Sequence, residues 1–140
     1  MLLLDTSVVS AVMRRDEQVL ERLRREDPSA VALCAPVAAE IQFGLERLEA
    51  GSRRRELLAQ QYHGLRQVVR WLDWTEEAAS VFGRVKAALE KRGARLDDVD
   101  LIIGSIALSA GARLASRNAR HFRRLDGLSV EDWAKALPSA

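Results

Sequence analysis

The sequence predicts an α/β domain, a three-layer α/β/α sandwich around a central, mainly parallel sheet of four to five strands. Strand-length segments recur at Leu2–Leu4, Val31–Ala35 and Arg113–Ser116. Between them lie longer segments whose apolar residues repeat at helical spacing. Strands alternating with helices pair in parallel and are covered on both faces, so each reads as a short apolar run rather than an in–out alternation.

Taken in order, Leu2-Leu3-Leu4 is too short for a helix and fits a buried strand that stops at Asp5-Thr6-Ser7. Thr6 or Ser7 can cap the helix predicted over Val8–Met13. A highly charged helix follows over Glu17–Arg25, with Val19, Leu20 and Leu23 on its apolar side, and Asp27-Pro28-Ser29 breaks it. Val31–Ala35 is the second strand. Pro36 suits the first turn of the next helix, where its missing N–H is no loss. That helix carries Val37, Ile41, Leu45 and Leu48 at helical spacing and runs through Glu40 towards Glu49. Gly51-Ser52 ends it, a further helix covers Arg53–Leu65, and Val68–Leu72 is a third strand candidate. Thr75 caps a long helix to about Lys91, with Glu76 and Glu77 in its positive first turn. An apolar helix over Asp98–Ser109 closes at Gly111. Arg113–Ser116 is a fourth strand, Leu128–Val130 a weaker fifth, and Glu131–Leu137 a terminal helix.

The bulk numbers narrow the function classes. A chain of 140 residues with 48% hydrophobic content fits one domain, residues 1–140, with a real core. No apolar run approaches the ~20 residues of a membrane helix, so no membrane partner is expected. The start, Met1-Leu2-Leu3-Leu4-Asp5, lacks the basic segment of a secretory signal. Cys34 is the single cysteine, which excludes an internal disulfide, and with His63 and His121 it shows no zinc-ligand spacing. A reducing cytoplasm is the expected setting. The formal charge is only +2, yet three lysines, Lys86, Lys91 and Lys135, stand among 22 basic residues. Arginine offers a planar fork for phosphate and stacks on bases, although GC-rich coding produces the same bias.

Ligands of open parallel sheets bind beyond the carboxyl ends of the strands. Asp5 directly follows the first strand. Glu40 lies just over one turn into the helix leaving the second. Asp100 is in the first turn of the helix that feeds the fourth, and Asn118 follows that strand by two residues. Four oxygen-bearing side chains from distant segments are thus expected in one crevice. Three carboxylates there would repel one another unless a cation joined them, and hard oxygen donors favour Mg²⁺ or Mn²⁺ over zinc. Each residue also has a plainer role: Asp5 as a strand end, Glu40 as a surface glutamate, Asp100 as a capping-box acid three residues after Asp97, and Asn118 as a turn residue.

These segments resemble the PIN-domain family, in particular its VapC-type toxins. The resemblance spans essentially the whole chain. It is carried by Leu4-Asp5-Thr6-Ser7, by the run Ala38 to Leu45 around Glu40, by Asp100 to Leu108, and by Gly111 to Phe122. It implies an acidic pocket in which Asp5, Glu40 and Asp100 match the family's core acids and hold Mg²⁺ or Mn²⁺. Ser116 and Asn118 fall on a Thr-x-Asp/Asn motif. Serine for threonine keeps the hydroxyl, whereas asparagine removes one negative charge. Gly104-Ser105 replaces a common Ala-Ala and reads as packing variation, and Asp97 and Asp98 are extra acids that either join the pocket or cap.

The resemblance further implies an RNA substrate, such as tRNA, a cognate VapB-type antitoxin and a homodimer. Arg14, Arg15, Arg117, Arg120 and Arg124 are candidate phosphate contacts. In the expected reaction Asp5 and Asp100 ligate the metal, Glu40 ligates through water or orients the attacking water, and Asn118, helped by Ser116, bonds the water shell. The catalytic set is therefore Asp5, Glu40, Asp100 and Asn118, and in-line attack leaves a 5′-phosphate and a 3′-hydroxyl. A haloacid-dehalogenase-like phosphatase is disfavoured, because the second aspartate it needs would fall at Ser7. The remaining alternative is a catalytically silent RNA- or protein-binding module.

Overall fold

A computed structural model describes residues 1–137. Five strands, β1 (Leu2–Leu4), β2 (Val31–Cys34), β3 (Arg70–Leu72), β4 (Arg113–Ser116) and β5 (Val130–Asp132), form one sheet in the order β3-β2-β1-β4-β5. All four pairings are parallel, with Leu2 opposite Val31 on one side and Arg113 on the other. Every residue of β1 and β2 is buried, as strands inside a two-faced parallel sheet must be.

Between β1 and β2 lie α1 (Thr6–Met13) and α2 (Glu17–Arg24), and between β2 and β3 lie α3 (Ala35–Glu46) and α4 (Arg53–Val68). The chain then crosses to the other side of β1 through α5 (Glu76–Lys91) and α6 (Asp98–Ala110), which pack on each other, before β4, the short α7 (Ala119–Phe122) and β5. The winding direction reverses between β1 and β4. Such a reversal splays the connections apart and opens a crevice at the carboxyl edge. Asp5 and Ser116 stand on its two sides.

The expected architecture is present, with the sheet wholly parallel and five-stranded. The terminal helix expected over Glu131–Leu137 is not there. Those residues complete β5, where Glu131 and Asp132 pair with Ala115 and Ser116, and then turn. A seven-residue uncapped helix is marginal by itself, whereas this pairing covers the β4 edge and buries Trp133, whose N–H donates to the Ser116 carbonyl at 2.8 Å. The fifth strand consequently lies two residues beyond Leu128–Val130. Two helix ends also differ: α3 stops at Glu46 and α4 runs on to Val68, which shortens β3. Gly111 ends α6 at φ 65°, the left-handed conformation that glycine adopts without a Cβ penalty. Gly104 has a packing reason, since a Cβ there would stand 2.5 Å from Leu125 Cδ2.

Candidate active site

Asp5 is the anchor of the site and is 3% exposed. The β1 ladder carries it to the carboxyl edge, where its N–H donates to the Ala115 carbonyl at 3.1 Å. It is also the N-cap of α1, in place of the expected Thr6 or Ser7, because helical geometry begins at Thr6 and the short Asp5 side chain reaches Val8 N–H. Asp5 Oδ1 accepts from Val8 N–H at 2.9 Å and from Ser7 Oγ at 2.6 Å, and Oδ2 accepts from Ser116 Oγ at 2.5 Å. Burial pushes its carboxyl above the ordinary value, opposed by the bonds from Ser116, Ser7 and Val8.

Glu40 reaches the same edge from α3, whose buried stripe of Val37, Ile41 and Leu45 leaves it at the rim. Its Oε1 accepts from Thr6 Oγ1, so the residue after Asp5 holds the second acid. Asp100 enters from the first turn of α6. Burial, then the charges of Asp97, Glu40 and Asp5, push its carboxyl up to about 6, and His121 on α7 opposes the shift. The three acids therefore share one electrostatic environment, as expected of residues meeting at the switch point. Among the described residues, no three His, Cys, Asp or Glu side chains form a ready-made metal cage.

The flanking residues separate by role. Asp97 caps α6 through Val99 N–H at 3.1 Å and burdens Asp100 with its charge. Asp98 turns outward to pair with Lys86 at 3.0 Å. Ser116 Oγ accepts from Asn118 N–H at 2.8 Å while donating to Asp5, tying the turn after β4 to the buried acid. The exposed Asn118 makes no side-chain cap bond to α7 and lines a separate cavity beside Ser7. Cys34, buried at the end of β2, has its thiol pushed up to about 11 by burial and is a core residue.

Sequence reasoning passed over two contributors. Ser7 Oγ accepts from Arg117 N–H at 2.9 Å while donating to Asp5, a bridge over 110 positions of sequence. His121 could be connected with Asp100 only once α7, four residues long and without periodicity, was placed against α6.

The family model for the PIN domain matches residues 2–128. The chain belongs to the PIN-domain family. Among relatives of this PIN domain, ribonuclease VapC2 of Haemophilus influenzae is 32% identical over 133 residues, covering 94% of this chain and 96% of the relative. A protein named tRNA(fMet)-specific endonuclease VapC, from Salmonella typhimurium, is 26% identical over 132 residues, with 94% and 96% covered. The crystal structure of DNA-bound VapBC from Salmonella typhimurium contains a chain that superposes with a TM-score of 0.81 at 26% identity, covering 94% of this PIN domain and 97% of that chain.

Proposed function

We propose that this PIN domain is the ribonuclease toxin of a toxin–antitoxin pair, hydrolysing RNA phosphodiesters with Mg²⁺ or Mn²⁺ and neutralised by a VapB-type antitoxin. The observation that carries the reading is the gathering of Asp5, Glu40 and Asp100 at the switch point, with the Asp100 carboxyl raised by burial and by its acidic neighbours. Chains named VapC ribonucleases match along nearly the full length, which supports the same reading.

The donor set fits a hard divalent cation. The donors are carboxylate oxygens, and Asp5 and Asp100 both carry raised carboxyls, a strain that a cation relieves. A loosely gathered set is no obstacle, because Mg²⁺ keeps several waters and takes only one or two carboxylates directly. Asp5 and Asp100 would hold the ion, with Glu40 reaching it directly or through water. Once bound, the ion supplies Lewis acidity at the phosphoryl oxygen and lowers the pKa of water. Ser7 and Val8 occupy Asp5 Oδ1 and Ser116 bonds Oδ2, so the remaining Oδ2 lone pair is presented in one orientation. Thr6 positions Glu40 to orient the attacking water, and Asn118 offers its amide at the rim.

A partner needs apolar surface, and the groove beside α1 and α4 offers Met13, Leu57 and Leu58 in a cavity of about 550 Å³ bordered by Arg14 and Arg54. Exposed Val68, Trp71 and Trp74 near the β3 edge supply a face for self-association. Among the described residues no helix is long and apolar enough to cross a membrane.

The test is end-mapping of RNA, tRNA included, incubated with the purified protein and Mg²⁺ or Mn²⁺. Discrete new 5′-phosphate ends that vanish when the cognate antitoxin is added are the expected result. Bound RNA without new ends would sink the reading and favour the silent binding module.

A further inference from the structure

Five arginines are candidates for contacting phosphate, and the fold sorts them. Arg124 Nη1 donates to the Arg95 carbonyl, Arg120 is exposed on α7, and Arg15 borders the apolar groove beside α4. Arg14, which also borders that groove, meets Arg117 in a cavity of about 370 Å³ whose other lining residues are Ser7, Ser10, Asn118 and Ala134. Its functional groups are thus two guanidiniums, two hydroxyls and one amide. Donors dominate, and among the described residues no carboxylate lines it, which is the chemistry of an anion site.

Two features point to a ligand rather than to a solvated surface. Arg117 Nε is buried and has no hydrogen-bond partner among the described residues, whereas buried donors in folded proteins are almost always paired. The same guanidinium has one acidic neighbour, Asp16, whose Oδ2 stands 3.9 Å from Nη1 while its Oδ1 caps α2. Arg117 is therefore held in place with donor capacity to spare. The cavity is also tied to the acids. Ser7, which lines it, donates to Asp5 and accepts from Arg117 N–H, while Ser10 and Arg14 line both this cavity and the neighbouring one that contains Glu40.

We infer that Arg14 and Arg117 form a subsite for a backbone phosphate of single-stranded RNA next to the one being cut. The inference rests on the ribonuclease reading above. Both arginines act as positioning residues: they hold the chain in register while the acids do the chemistry, so their loss appears in binding rather than in turnover.

The experiment is a salt titration of binding by fluorescence anisotropy. It uses a labelled oligoribonucleotide in EDTA, the wild type, and the variants Arg117→Gln, Arg14→Gln and Arg117→Lys, each checked for folding by circular dichroism. A single-strand phosphate contact contributes about 0.7 to the slope of log K against log salt, or about fivefold in affinity at 0.1 M salt. Each glutamine variant should lose that slope and that affinity, and Arg117→Lys should keep the slope. In Mg²⁺ the two glutamine variants should raise KM about fivefold with kcat little changed. Unchanged slope and affinity in both glutamine variants overturns the inference, as does a fall in kcat at constant KM. Weakened antitoxin inhibition with RNA binding intact also overturns it and hands the cavity to a protein ligand. A wild type that binds RNA but does not cut it defeats the ribonuclease reading alone, because the salt slope still decides the subsite.

Discussion

Replacing Asp100 by asparagine should make the metal-free protein more stable at neutral pH while removing its response to Mg²⁺. Burial and the charges of Asp97, Glu40 and Asp5 raise the Asp100 carboxyl from the ordinary 3.8 to about 6. A folded-state value above the unfolded one means that the native protein binds this proton more tightly. The associated stability is present below the unfolded value and lost as pH rises through about 6. The separation corresponds to about 3 kcal/mol at 1.36 kcal/mol per pH decade. Asp100 is partly solvated, and screening reduces this to about 1 kcal/mol. The uncharged amide introduced by Asp100→Asn would copy the neutral acid and avoid the loss, raising Tm at about pH 7.5 in EDTA by about 3–4 °C for a domain of this size. At about pH 3, below the unfolded value, Asp100 is protonated in both the folded and the unfolded state, and the two proteins should melt together. Mg²⁺ at about ten times its Kd should add about 1.4 kcal/mol to the wild type and nothing to the variant. Thermal melts at the two pH values, with EDTA or Mg²⁺, read all of these quantities. A stabilisation that is the same at both pH values, or a variant that still gains from Mg²⁺, would refute the reasoning.

Ser116→Ala removes the hydroxyl that bonds Asp5 Oδ2 and receives Asn118 N–H; cleavage should fall about 10–100-fold, and Ser116→Thr, which keeps the hydroxyl, should restore most of it in the same rate assay. Gly104→Ala gains about 1 kcal/mol of helix propensity but drives a Cβ into Leu125, an overpacking cost of about 1–3 kcal/mol. Urea unfolding should show a net loss of about 1 kcal/mol, relieved when Leu125→Ala is added in a double-mutant cycle.

Local chemistry made much of this fold legible. Apolar runs placed β1 and β2, Thr75 and Asp97 marked the starts of α5 and α6, and Gly111 marked the end of α6. Asp5, Glu40 and Asp100 could be gathered because the parallel topology alone sends strand ends and helix starts to one edge. What stayed hidden depends on contacts between distant segments. β5 exists because β4 needs a partner and Trp133 a core, neither of which Glu131–Leu137 announces. Ser7 looked like a cap until Arg117, far along the chain, was found bonded to it. The cavity shared by Arg14 and Arg117 is invisible in a chain so rich in arginine that no single one stands out.

The most direct test of the account is the rate of RNA cleavage by wild type, Asp5→Asn and Asp100→Asn, in Mg²⁺ and in EDTA. The account predicts cleavage by the wild type in Mg²⁺, none in EDTA, and a fall of at least about 10²-fold in each folded variant, since each loses a carboxylate charge that would hold the metal ion. Cleavage that survives EDTA, or variants that cut at the wild-type rate, would contradict it.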